Sequence, residues 1–249
     1  TLDAKKALKM FEKVEVPVLG IVENMAVHTC SNCGHIEHLF GDGGGERMAS
    51  QYGVPLLGSL PLDIGIREQG DAFPLIADHT GKMIVGQFGS FIGGFLNNYD
   101  GTLEDGDMIF LSDPYSVDGA VSHSNDWLVL LPVFKDGRLI AYTSMFGHQS
   151  DIGGKVVGSM PINARSIYEE GVRIPPVKIW KKGEYNADLM KLVMHQTRKP
   201  DWCAADLNAL IASCRVAARR VVEMAERFGD DVYVSATQEL LARNHRAMK

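Results

Sequence analysis

Three residues at hairpin spacing carry the most specific chemistry in this sequence: His123, Asp126 and His148. Two β-rich runs, Trp127–Phe134 and Leu139–Gly147, flank Lys135-Asp136-Gly137-Arg138. Asp-Gly between apolar runs predicts a two-residue hairpin turn. With Asp136-Gly137 as that turn, Lys135 faces Arg138, Asp126 lies opposite Gly147, and His148 lies opposite Asn125. His123 sits just beyond the strand start, where the chain can fold back. Two imidazoles and one carboxylate therefore gather at the open end of one hairpin. Neutral imidazole and carboxylate suit Mn, Fe or Zn, and three protein ligands leave positions open for substrate. On this register a one-residue slip moves Asp126 to the other face and destroys the site. The competing reading is a His-x-x-Asp pair that merely hydrogen-bonds in a loop while His148 ends a strand, since that spacing recurs by accident.

A second cluster is Cys30-Ser31-Asn32-Cys33-Gly34, flanked by His28, His35 and His38. Two thiolates at this spacing can share a metal or cluster, but they supply only half of a four-ligand site. A second copy across a dimer axis would complete it. A redox pair and two free loop thiols are the alternatives.

The elements that must position these groups fall into two textures. Residues 4–13 have helical composition, and Val16–Val22 reads as a short buried parallel strand. Glu46–Tyr52 predicts a helix ending at Gly53, and Val54–Leu60 a second apolar strand. This alternation is α/β. After about Asp71 the pattern changes to a strand over Asp105–Leu111, the hairpin, and a helix from Asp201, its expected cap, to a stop at Gly229. Leu207, Leu210, Ile211, Cys214, Ala218, Val221 and Phe228 mark that helix's apolar stripe, and a second helix is expected over Ser235–Arg246. The expected fold is an α/β fragment, half of a P-loop-type parallel sheet, followed by an α+β fragment with a central β-hairpin and C-terminal helices. The expected boundary divides residues 1–72 from 73–249.

Composition narrows the function classes. Hydrophobic content of 45% and charge of 22% over 249 residues are ordinary for a globular protein. A net charge of −6 and a pI near 5.7 argue against a nucleic-acid or anionic-membrane partner. No apolar run reaches a membrane span, and no basic-then-apolar leader opens the chain. Four cysteines are too few for a disulfide scaffold, so a reducing cytoplasm is the expected location. The start at Thr1-Leu2-Asp3, without methionine, reads as a piece of something longer.

Several longer words carry family resemblances. Ser112-Asp113-Pro114-Tyr115, Ser122–Asp126, Gly147–Gly154, Gly158–Pro161 and Glu169–Lys178 resemble the hydantoinase-B family over about residues 74–249. The family includes B subunits of hydantoinases and oxoprolinases, and metal-containing subunits of acetone and acetophenone carboxylases. The resemblance implies that His123, Asp126 and His148 hold a divalent metal, and that a separate hydantoinase-A-like subunit uses ATP to phosphorylate a ketone or lactam substrate. Asp113 and Asp151 become candidate acid/base or outer groups, though each is equally a turn former. Ala120-Val121-Ser122 stands where ring-opening members tend to have Gly-Gly-Thr, which leans the reading toward the ketone-carboxylase branch. Members of the family run to several hundred residues, so a large C-terminal part is expected beyond this chain.

Residues 1–72 resemble a different family. Leu2–Ala7, Gly20–Met25, Phe40–Gly45 and Pro61–Arg67 are similar to the Mrp/ApbC P-loop iron–sulfur carriers. That resemblance implies a 4Fe-4S cluster shared across a homodimer through Cys30 and Cys33. No Gly-Lys-rich phosphate loop occurs in the chain, so no nucleotide site is expected. The function expected first is a subunit of a metal-dependent, ATP-assisted carboxylase or hydrolase. The alternatives are an iron–sulfur carrier, or a fusion in which neither fragment is competent.

Overall fold

The computed structural model describes residues 2–13, 15, 17–29, 36, 37, 43–62, 72–86 and 91–248. In the N-terminal part, helix α1 (Leu2–Lys13) precedes strand β1 (Ile21–Thr29), the short β2 (Ile36–Glu37), helix α2 (Gly44–Tyr52) and strand β3 (Leu56–Leu62). Strand β1 is central, parallel to β3 and antiparallel to β2. Among the described residues the strand expected over Val16–Val22 begins at Ile21, whose N–H donates to the Pro55 carbonyl at 2.8 Å where the neighbouring strand comes alongside. Helix α2 stops as expected at Gly53, whose φ of 64° suits a residue without Cβ. Its N-terminal end is held by Glu23 on β1, whose Oε1 accepts from the Gly45 N–H at 2.8 Å.

The larger part is built on an antiparallel sheet. Its strands are β4 (Ala72–Asp78), β5 (Met83–Gly86), β6 (Met108–Leu111), β7 (Asp126–Lys135), β8 (Arg138–His148), β9 (Val177–Lys181) and β10 (Glu184–Tyr185). Among the described residues the order is β10-β9-β6-β7-β8-β4-β5, which places the β7–β8 hairpin near the middle. The central strands are covered on both faces, so they read as continuous apolar runs rather than alternating ones. Trp127, Val129 and Met145 point to one face, beneath α4 (Ala187–Met194) and the long α5 (Pro200–Phe228). Leu128, Leu130 and Phe146 point to the other, beneath helix α3 (Phe91–Asn98) and the 3₁₀ turn Pro114–Val117.

Helix α5 stops at Gly229 as expected, and α6 (Asp230–Ala247) follows directly. Its start differs from expectation: Lys199 is the cap residue, Pro200 opens the first turn, and Asp201 lies inside that turn. Leu207, Leu210, Ile211, Cys214 and Val221 of the stripe are buried, whereas Phe228 is 54% exposed. Helix and hairpin meet closely at Gly147, where an added Cβ would come within 3.0 Å of Leu210. Farther along, Arg220 Nη2 donates to the Leu57 carbonyl at 2.8 Å, linking α5 to β3. No helix among the described residues is long and apolar enough to cross a membrane.

The hairpin turn forms as expected. Asp136 and Gly137 both have positive φ, 49° and 78°, as a type I′ turn requires. Lys135 pairs with Arg138 and Phe134 with Leu139, but Val133 then pairs with Ala141, so a bulge skips Ile140. From there to the open end the register is shifted by one residue. Asp126 lies opposite His148, not opposite Gly147 as the turn alone would dictate. The bulge has a packing reason. Ile140 and Ala141 are neighbours in sequence, yet both are buried in one cluster with Val221, Ala225, Tyr233 and Val234. A regular strand sends neighbours to opposite faces, and a bulge relieves that constraint.

Candidate metal centre

The bulge decides the site. Directly paired residues of an antiparallel ladder share a face. The turn-counted register would have paired Asp126 with Gly147 and turned His148 toward α5. The observed register puts Asp126 and His148 side by side on the other face. The slip expected to destroy the site is the one that creates it.

His123, Asp126 and His148 come together, each offering a ligand atom within 4.8 Å of the others'. Asp126 stands between the rings: Oδ1 lies 3.2 Å from His148 Nδ1, and Oδ2 lies 3.5 Å from His123 Nε2. The two imidazoles sit edge to face with centroids 4.8 Å apart. The cluster opens outward from one side. His148 and Asp126 keep 9% and 13% side-chain exposure, and His123 keeps 32%. Strands β7 and β8 hold two of the residues. His123 is positioned by the turn that precedes β7, in which the Asp126 N–H donates to the His123 carbonyl at 3.1 Å.

The donor set fits a divalent transition ion. Two neutral imidazoles and one carboxylate provide nitrogen and oxygen donors with a single formal charge, leaving coordination positions free. His123 Nδ1 is buried and has no partner in the protein. That ring is therefore not committed to an internal hydrogen bond on that side.

Asp113 and Asp151 occupy different settings. Asp113 caps the 3₁₀ turn, with Oδ2 accepting from Ser116 Oγ at 2.6 Å and Oδ1 lying 3.4 Å from Arg173 Nη1. Arg173 in turn lies over the exposed rings of Tyr115 and Tyr168. Asp151 is fully buried. Its Oδ1 accepts from the N–H groups of Gly153 and Arg198, and its Oδ2 from the Gly158 N–H and Arg198 Nε. Burial raises the Asp151 carboxyl, but these hydrogen bonds outweigh it and hold the group below the usual carboxylate range.

Arg198 is the residue that sequence reasoning missed. Besides Asp151, its guanidinium reaches the carbonyls of Gly153, Gly154 and Val156. The signal in the sequence is the run Asp151-Ile152-Gly153-Gly154, a glycine-rich loop whose carbonyls need a donor from elsewhere. Nothing local points to Arg198 as that donor. Cys30 and Cys33 lie outside the described residues. Cys203 and Cys214 are buried free thiols raised by desolvation, as inert core cysteines are.

Comparison with known proteins matches two overlapping stretches of the chain to different families. The model for NUBPL iron-transfer P-loop NTPases matches residues 1–90. The first 70 or so residues are similar to an iron–sulfur cluster carrier protein of Pseudomonas fragi, 70% identical over 70 residues, covering 28% of this chain and 24% of that protein. The caprolactamase beta subunit of Pseudomonas jessenii is 33% identical over 202 residues, covering 81% of this chain and 32% of the relative. The crystal structure of the ATP-dependent caprolactamase from that organism aligns with a TM-score of 0.60 at 32% identity, over 68% of this chain and 30% of that one. The acetophenone carboxylase delta subunit of Aromatoleum aromaticum is 29% identical over 182 residues, covering 69% of this chain and 26% of the relative. The chain thus spans about a third or less of each of these relatives. The model for hydantoinase B/oxoprolinase matches residues 65–249, more than half of the chain, and this protein belongs to that family.

Proposed function

We propose that this chain supplies the metal-holding part of a subunit in an ATP-assisted enzyme acting at the carbonyl of a small ketone or lactam. Convergence of His123, Asp126 and His148 at one partly open point carries the reading. A bound Mn, Zn or Fe ion would supply Lewis acidity to a carbonyl or enolate oxygen there. The protein's own groups do the rest. Asp126 stands between the two imidazoles, so that its oxygens and the facing ring nitrogens can close on one ion. The strand pairing of Asp126 with His148 sets their spacing, and the sheet and α3 exclude water from one side. Asp113 and Asp151, each engaged by several donors, orient the loops around the site rather than carry protons. ATP is used on a hydantoinase-A-like partner.

Both reaction types occur among the named relatives, lactam cleavage by the caprolactamase and carboxylation by the acetophenone enzyme. The Ala120-Val121-Ser122 sequence favours carboxylation. Co-produced with an A-type subunit, the chain is expected to make ADP release depend on acetophenone and bicarbonate, or on caprolactam, and on added Mn. ADP release that ignores the chain, or that persists undiminished in excess chelator, overturns the reading.

A second reading rests on the 70% identity of the N-terminal segment to an iron–sulfur carrier. In it, Cys30 and Cys33 bind half of a 4Fe-4S cluster shared between two copies. Anaerobic reconstitution is expected to yield a coloured dimer, and Cys33→Ser to lose both colour and iron. Iron uptake by a strict monomer, or none, removes this reading.

A further inference from the structure

We propose that Asn125 is a positioning residue for the metal ligands, held in place by a relay of hydrogen bonds that ends at Arg198. The proposal rests on the reading of His123, Asp126 and His148 as a metal site.

Asn125 is 1% exposed and lies between two of the three ligands in sequence. It also grips the third from the facing strand. Its carbonyl accepts from the Gln149 N–H at 2.8 Å, and its Nδ2 donates to the Gln149 carbonyl at 3.3 Å. Both backbone groups of the residue following His148 are thereby tied to Asn125. The tie falls where Asp126 and His148 form the last rung of the hairpin. Strand ends fray when their last rung has nothing beyond it, and Asn125 supplies that next rung with its backbone carbonyl and its side-chain amide together.

The same Nδ2 lies 3.4 Å from the Gly158 carbonyl. The N–H of Gly158 donates to Asp151 Oδ2 at 3.0 Å, and Arg198 Nε donates to that same oxygen at 2.9 Å. Arg198 sits in the turn between α4 and α5, where the Thr197 hydroxyl also donates to the Asp151 carbonyl at 2.7 Å. A continuous path therefore runs from the foot of α5 through Asp151 and Gly158 to Asn125 and the ligand rung.

The surroundings are more polar than a stability role needs. Ser124 Oγ, Gln149 Oε1, Ser150 Oγ and His123 Nδ1 are all buried without a protein partner, and all belong to residues flanking the ligand rung. Buried polar atoms in that state are costly and cluster where a site, rather than a core, is being built.

Co²⁺ titration of the full chain is the test, read by the visible d–d bands that report its coordination. Asn125→Ala is expected to weaken Co²⁺ binding by roughly 10- to 100-fold, as loss of outer supporting groups does, and to alter the band shape. Arg198→Ala should do the same to a lesser degree, with partial rescue in Arg198→Lys. The double variant should fall short of the product of the two losses, because the groups act in series. Val129→Ala loosens the same hairpin from its helix-facing side and should lower Tm while leaving the spectrum unchanged. A folded Asn125→Ala with wild-type affinity and spectrum overturns the proposal. If Asn125→Ala does not fold, an unchanged Arg198→Ala overturns it instead. Wild-type protein that binds no Co²⁺ sinks the metal reading itself, and this proposal with it.

Discussion

Replacing His148 with alanine is expected to remove stoichiometric metal from the protein while leaving the hairpin intact. His148 closes the last rung of the hairpin, and its side chain faces Asp126 and His123. Its loss leaves one imidazole and one carboxylate, a set too small to retain a divalent ion through dialysis. The expected drop in affinity exceeds the roughly 100-fold reached when only an outer supporting group is lost. Stability should change little. The ring does not belong to any of the three apolar clusters of the core, and the apolar interior of β8 from Leu139 to Phe146 is untouched. Element analysis after dialysis against each of Mn²⁺, Zn²⁺ and Fe²⁺, with far-UV circular dichroism alongside, measures both quantities. Equal metal content in the two proteins would falsify the assignment of the triad. Lost metal together with lost ellipticity would show that His148 is a structural residue.

Trp127→Ala should be among the most destabilising single substitutions in the sheet, at about 3–5 kcal/mol. Trp127 is fully buried one residue from Asp126, but on the opposite face. Its ring meets Phe110 edge to face at 5.1 Å and shares a cluster with Val129, Met145, Leu207, Leu210 and Cys214. Alanine leaves a cavity between the sheet and α5 that a long, well-anchored helix cannot collapse to fill. Trp127→Phe is expected to cost far less, about 1–2 kcal/mol. It keeps a ring against Phe110, and it removes an indole N–H that is buried without an acceptor. Urea denaturation of the three proteins separates the cases. Similar losses for the alanine and phenylalanine variants would mean that the indole N–H, not the ring volume, holds this position.

Much of the candidate site was legible in the sequence because its signals are local. Asp136-Gly137 names its own turn, since only that pair among its neighbours tolerates two positive φ values in succession. The apolar stripe of α5 and the stop at Gly229 follow from helical period and from glycine's freedom at a helix end. His123, Asp126 and His148 stood out because imidazole and carboxylate converging on one hairpin end is a chemically specific set. The change from α/β alternation to an antiparallel, β-rich texture was legible as well.

What tertiary structure alone decided is how these pieces register. Counting from the turn puts Asp126 and His148 on opposite faces of the sheet. The bulge at Ile140 puts them on the same one, and it exists because α5 and α6 bury Ile140 and Ala141 together. The place of β4 beside β8, and the tie from Arg198 to Asp151, likewise join segments about 50 or more residues apart. Turn type, helical period and ligand chemistry depend on a residue and its immediate neighbours, so the chain alone determined them. A bulge and a buried charge pair depend on which distant surfaces compete for the same side chains, and that competition is resolved only when the core packs.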